Sequence, residues 1–129
     1  MEVVAIVSVI ALLQYTWFSF YVGMMRQKHG VAAPAMQGAP EFERAMRVQQ
    51  NTLEQLLVFL PSLWMYAHFA NPRWAAGIGL VFVLGRFIYR ASYLKDPGSR
   101  STGFLLGFLA TMYLLVGSLV AAGLNLYAG

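Results

Sequence analysis

The sequence predicts an all-α integral membrane protein, a bundle of four transmembrane helices. Its 129 residues are 59% hydrophobic and only 11% charged, too apolar for a small soluble domain, whose surface needs more charge. The charges are also segregated: residues 3 to 25, 55 to 72 and 101 to 129 contain no Asp, Glu, Lys or Arg. A span needs roughly 20 apolar residues to cross ~30 Å of hydrocarbon. A fourth stretch, Trp74 to Tyr93, is long enough and carries Arg86 and Arg90 near one end.

The chain reads as one domain, residues 1–129. Its first helix is expected over residues 3–25, with Gln14 as the one strongly polar mid-span residue. The opening Met-Glu-Val has no basic leader, and the apolar stretch is longer than a signal peptide needs, so this is a retained span. The connection KHGVAAPAMQGAPEFE is rich in Gly and Pro and reads as a loop. A second helix, residues 43–69, contains Pro61, which removes one backbone hydrogen bond and should kink it. A third is expected over residues 73–94, followed by a tight turn at Lys95–Ser99 and a fourth helix over 101–127. Gly103 with Gly107, and Gly117 with Ala121, are small-residue pairs of the kind that let membrane helices approach closely.

Orientation follows from the cations. Arg26, Lys28, Arg44 and Arg47 flank the first connection, and Arg86, Arg90, Lys95 and Arg100 flank the third. Of the nine basic residues only Arg73 lies on the other side. The positive-inside rule places the 1–2 and 3–4 loops in the cytoplasm and both termini outside. Cysteine is absent, which excludes disulfides, thiolate metal sites and a cysteine nucleophile. The two histidines, His29 and His68, are too few and too far apart for a metal centre.

Topology does not explain charge inside the spans. On a helix turning about 100° per residue, Arg47, Asn51 and Glu54 fall within roughly 60° of one another, with Gln50 beside them. Arg86, Tyr89, Arg90 and Tyr93 follow the i, i+3, i+4, i+7 stripe of the third helix. Arg26 closes the first helix and Arg100 opens the fourth at the same depth. One reading is polar glue, a Glu54–Arg86 ion pair clamping two helices. The other is an anion site, because one carboxylate cannot neutralise Arg26, Arg47, Arg86, Arg90 and Arg100 together. Arginine forks match carboxylates, and tyrosines suit a ligand that is part polar and part lipid-like.

Residues 40 to 54, PEFERAMRVQQNTLE, and residues 86 to 104, RFIYRASYLKDPGSRSTGF, carry a combined motif. It resembles that of the MAPEG family, the membrane-associated proteins in eicosanoid and glutathione metabolism. Within that family the chain is similar to microsomal glutathione transferases and leukotriene C synthase, in a compact, bacterial-looking form. The resemblance implies a homotrimer in the membrane, here a bacterial inner membrane, with glutathione bound between subunits near the cytoplasmic face. By position it assigns Arg26, Arg47, Gln49, Asn51, Glu54, Tyr89 and Tyr93 to glutathione binding. Arg100 takes the place of the catalytic arginine that stabilises the glutathione thiolate. Arg86, Arg90 and Gln50 are secondary polar residues, and neither a metal nor a nucleic acid is implied. The implied activity is conjugation of glutathione to lipophilic electrophiles, or reduction of lipid hydroperoxides, in detoxification. Two positions depart from catalytic relatives: Gln27 stands where a second arginine can follow, and Gln55 where tyrosine is frequent. A non-catalytic, lipid-binding member of the lipoxygenase-activating type is the alternative. A small proton-coupled exporter is a third, although its glutamate would be expected mid-membrane in the first helix.

Overall fold

A computed structural model describes all residues, 1–129, as four helices and one short 3₁₀ turn, with no strand. The helices are α1 (Glu2–His29), α2 (Pro40–Phe69), α3 (Pro72–Lys95) and α4 (Ser101–Ala128). Contacts between elements set the topology. Arg44, Asn51, Phe59 and Leu63 of α2 meet Leu94, Arg86, Phe82 and Gly79 of α3 in reverse order, so the two run antiparallel. In α1, Ser19 and Ser8 meet Gln49 and Trp64 of α2, again in reverse order. Between α2 and α4 the order is direct, since Ser62 meets Ser118 and Phe69 meets Asn125. The result is an up-down-up-down bundle.

The helices outgrow their expected bounds at the first loop. Lys28, His29 and the segment from Pro40 to Glu43 are helical, which leaves residues 30–39 as the connection. Gly30 ends α1 at φ 65°, a left-handed conformation that glycine adopts without a Cβ penalty. Pro40 opens α2, where its missing N–H has no helical partner to lose. The loop is tied at its base. Arg26 donates to the Ala35 carbonyl (2.7 Å), the Gly38 N–H donates to Glu43 (2.9 Å), and Glu41 accepts from Lys28 (2.9 Å) and pairs with His29 (2.8 Å). Downstream, Asn71 caps α3 by accepting from the Arg73 and Trp74 N–H groups. Asp96 accepts from the Gly98 N–H and shapes the 3₁₀ turn Pro97–Ser99. α2 carries Pro61 inside it and is helical on both sides of that residue.

The outer surface is apolar, with Leu57, Leu119 and Leu126 at 70%, 74% and 83% exposure, as lipid contact requires. Three helices are long and apolar enough on their own to cross a membrane: α1, α3 and α4. The fourth, α2, has the length but carries its polar residues in its first half, and it packs along the same stretch of α3. The interior holds a core around Phe59 and Phe82, whose rings stack 3.9 Å apart. The Gly103 and Gly107 pair seats α4 on Gly85 of α3, backbone against backbone. Gly117 takes the Tyr66 ring.

Two outcomes follow. A Cβ at Gly103 would lie 2.6 Å from the Tyr89 Cα and 2.8 Å from the Gly85 carbonyl oxygen, both of them backbone. Gly103→Ala should therefore force α3 and α4 apart and destabilise by roughly 1–3 kcal/mol, read as a lower thermal midpoint in detergent. Gly123→Ala, with nothing within 4 Å, should not lower it. The second concerns Glu41, whose carboxyl is held below its ordinary value by hydrogen bonds from His29 and then Lys28. A depressed carboxylate contributes above its ordinary titration range and stops contributing as pH falls through the depressed value. Glu41→Gln should speed hydrogen exchange in residues 30–39 at neutral pH, and the difference from wild type should vanish in acid below that value.

Candidate functional site

The first half of α2, the last half of α3 and the start of α4 enclose a cleft of about 990 Å³. It is lined by Arg47, Gln50, Asn51, Leu53 and Glu54 from α2 and by Tyr89 and Tyr93 from α3. Arg100, Ser101, Phe104 and Leu105 complete it from the 3₁₀–α4 junction. The helical period explains the grouping: Arg47, Asn51 and Glu54 share one face, as Tyr89 and Tyr93 do on α3. The close α3–α4 crossing at Gly85 and Gly103 then brings Arg100 to the tyrosines. Its guanidinium lies 5.9 Å from the Tyr93 ring centroid and donates to the Pro97 carbonyl at 2.8 Å.

Charge in the cleft is one-sided. Two guanidinium groups, Arg47 and Arg100, face one carboxylate, Glu54, and Glu54 is in no ion pair. The first turn of α4 has no side-chain cap, so its N–H groups add to the positive potential at Ser101. Leu53, Phe104 and Leu105 give the cleft an apolar side; Leu53 and Leu105 are exposed, and Phe104 is half-buried against Tyr89.

Arg86 lies beneath the cleft and not in it. It is 0% exposed and donates from Nη2 to Asn51 Oδ1 (2.8 Å) and Thr52 Oγ1 (2.9 Å). The Tyr89 ring covers its guanidinium at 4.1 Å. No Glu54–Arg86 clamp exists: the ion pairs of the chain are Met1–Glu2, Lys28–Glu41 and His29–Glu41. Arg86 Nε and Nη1 have no partner at all.

The remaining polar residues face α1. Arg90 stands over the Trp17 and Tyr21 rings, at 4.2 and 4.5 Å. Gln49 donates to the Ser19 hydroxyl at 3.0 Å. Arg26 packs on Phe42 and holds the Ala35 carbonyl. Residues that share a depth in the sequence thus divide between two sides of the bundle. Arg47, Gln50, Asn51, Glu54, Tyr89, Tyr93 and Arg100 come together, whereas Arg26, Gln49 and Arg90 do not join them within one chain. The sequence reading missed Leu53, Ser101, Thr52, Phe104 and Leu105. The leucines and the phenylalanine carry no signal distinguishing them from lipid-facing residues, and Thr52 is separated from its neighbours only by what it accepts.

This chain is matched by the family model described as MAPEG family, over residues 4–120. An uncharacterized protein of Synechocystis sp. is 44% identical over 117 residues, covering 91% of this chain and 85% of the relative. Microsomal glutathione S-transferase 2 of Homo sapiens is 41% identical over 113 residues, covering 86% and 77%. Leukotriene C4 synthase of Cavia porcellus is 34% identical over 126 residues, covering 92% and 84%.

Proposed function

The chain belongs to the MAPEG family, and on that premise we propose that it is a membrane-bound glutathione transferase or glutathione-dependent peroxidase. The observation that carries the reading is the convergence of Arg47, Asn51, Glu54, Tyr89, Tyr93 and Arg100 on one cleft with an excess of guanidinium. Glutathione fits that donor set: it has two carboxylates for arginines, an amine for Glu54, and amide carbonyls for Asn51 and the tyrosine hydroxyls. It also supplies the thiol that a cysteine-free chain lacks. The name of one relative, microsomal glutathione S-transferase 2, supports the same ligand.

In this reading Arg100 is the catalytic residue. A guanidinium beside the sulfur in a partly desolvated cleft favours the charged form and lowers the thiol pKa, each unit being worth about 1.4 kcal/mol. The apolar side formed by Leu53, Phe104 and Leu105 admits a lipophilic electrophile or hydroperoxide from the bilayer. The polar end, near Arg47, takes glutathione from the cytoplasmic side of a bacterial inner membrane. The two faces of the bundle are what a site shared in a homotrimer needs. One subunit offers the Arg47–Arg100 cleft, and its neighbour offers the α1 side with Arg26 and Gln49.

An ultraviolet difference spectrum with purified protein in detergent should show a glutathione thiolate band at neutral pH. Arg100→Ala should lose it and reduce turnover by about a hundredfold or more, as removal of a charge-stabilising donor does. Binding by calorimetry without a band would point to a non-catalytic, lipid-binding member. No binding would sink the glutathione reading. Shared sites have their own signature: Arg26→Ala and Arg100→Ala, each inactive alone, should regain activity when co-assembled, since some sites then carry both arginines. No recovery in mixed trimers would place each site within one subunit.

A further inference from the structure

Arg86 is the largest fully buried side chain in the protein, and no carboxylate pairs with it. Its hydrogen bonds hold α2 against α3, and two of its nitrogens make no hydrogen bond within the protein. What it does hold is informative. A guanidinium has only donors, so the Asn51 atom turned toward it must be the amide oxygen. Asn51 Nδ2 makes no hydrogen bond within the protein, and Asn51 lines the cleft. The amide is therefore held with its oxygen toward Arg86 and its two N–H donors unused within the protein.

A second connection runs through the rings. Arg86 covers Tyr89 at 4.1 Å, Tyr89 stacks on Tyr93 with centroids 5.6 Å apart and planes 24° apart, and Arg100 stands 5.9 Å from Tyr93. Cation, ring, ring and cation form one column from the bundle interior to the cleft mouth. Gly107 of α4 packs beside the inner end, where a Cβ would sit 3.5 Å from Arg86 Cδ, in ordinary van der Waals contact.

Resting on the glutathione reading above, we propose that Arg86 is a positioning residue. It orients Asn51 so that its amide N–H groups are available to an acceptor group of the tripeptide, and it anchors the tyrosine column that seats Arg100. Arg86 itself never touches the ligand.

The test is a double-mutant cycle on the full-length protein in detergent, with glutathione as the probe in calorimetry. Arg86→Met should weaken glutathione binding about ten- to a hundredfold, the range for losing an oriented hydrogen bond to a charged or polar group. Asn51→Ala should cost a similar factor, and Arg86→Met combined with Asn51→Ala should cost clearly less than the product of the two single losses. Arg86→Lys keeps the buried charge and serves if Arg86→Met fails to assemble; lacking the planar fork, it should also bind glutathione more weakly. Wild-type binding that Arg86→Met or Arg86→Lys leaves intact overturns the positioning role alone. Losses that simply add in the double variant overturn the route through Asn51. Wild-type protein that binds no glutathione overturns the functional reading and the positioning role with it.

Discussion

A fully buried guanidinium without a carboxylate sets the terms for the polar half of this bundle. Burying a charge is strongly unfavourable unless hydrogen bonds and polarisable groups replace water. Arg86 is met by Asn51 and Thr52 of α2 and by the face of Tyr89 on its own helix. Asn51 and Thr52 fix α2 against α3, and Gly107 of α4 packs beside the aliphatic stem. Its two unpartnered nitrogens carry a penalty of about 1–3 kcal/mol each. A bundle optimised for stability alone would fill this position with leucine. The residue makes sense as support for the cleft lying directly above it.

The lower half of the bundle, by contrast, follows ordinary membrane packing. Stacked Phe59 and Phe82 fill the centre, small residues admit close crossings, and hydroxyls of Ser8, Ser62 and Ser118 return their protons to carbonyls one turn back. Trp64, Trp74, Tyr66 and Tyr113 hydrogen-bond around the other rim, where amphipathic rings suit a membrane interface. This rigid half leaves the polar half free to carry a wide cleft. The Asn71 cap and the Pro72 start of α3 give the short turn that joins α2 to α3 at this rim.

Charge distribution separates the two polar faces by role. On the α1 side each cation is already engaged: Arg90 by aromatic rings, Arg26 by a carbonyl and Phe42, Lys28 by Glu41. On the cleft side Arg47 has no hydrogen-bonded or ionic partner, and Arg100 has one carbonyl. Electrostatic attraction for an anion is therefore concentrated at the cleft, within a low-dielectric wall that keeps it from being screened.

Much of this was legible in the residues themselves. Charge-free stretches specify spans, the helical period groups Arg47 with Asn51 and Glu54, and the combined motif marks the family, because each depends on local order along the chain. The pairing of charges was not legible. Glu54 and Arg86 lie at similar depth and have opposite sign, yet Glu54 faces the cleft and Arg86 faces the interior, a difference fixed by helix rotation. Likewise Gln49 and Arg90 share the depth of the site but turn toward α1, and Arg26, at the end of α1, packs on Phe42 and the first loop. Composition and periodicity determined the four helices, their membrane character and the polar stripe on each. Only the tertiary structure decided which stripes meet, because rotation about a helix axis is set by packing against neighbours and leaves no trace in spacing.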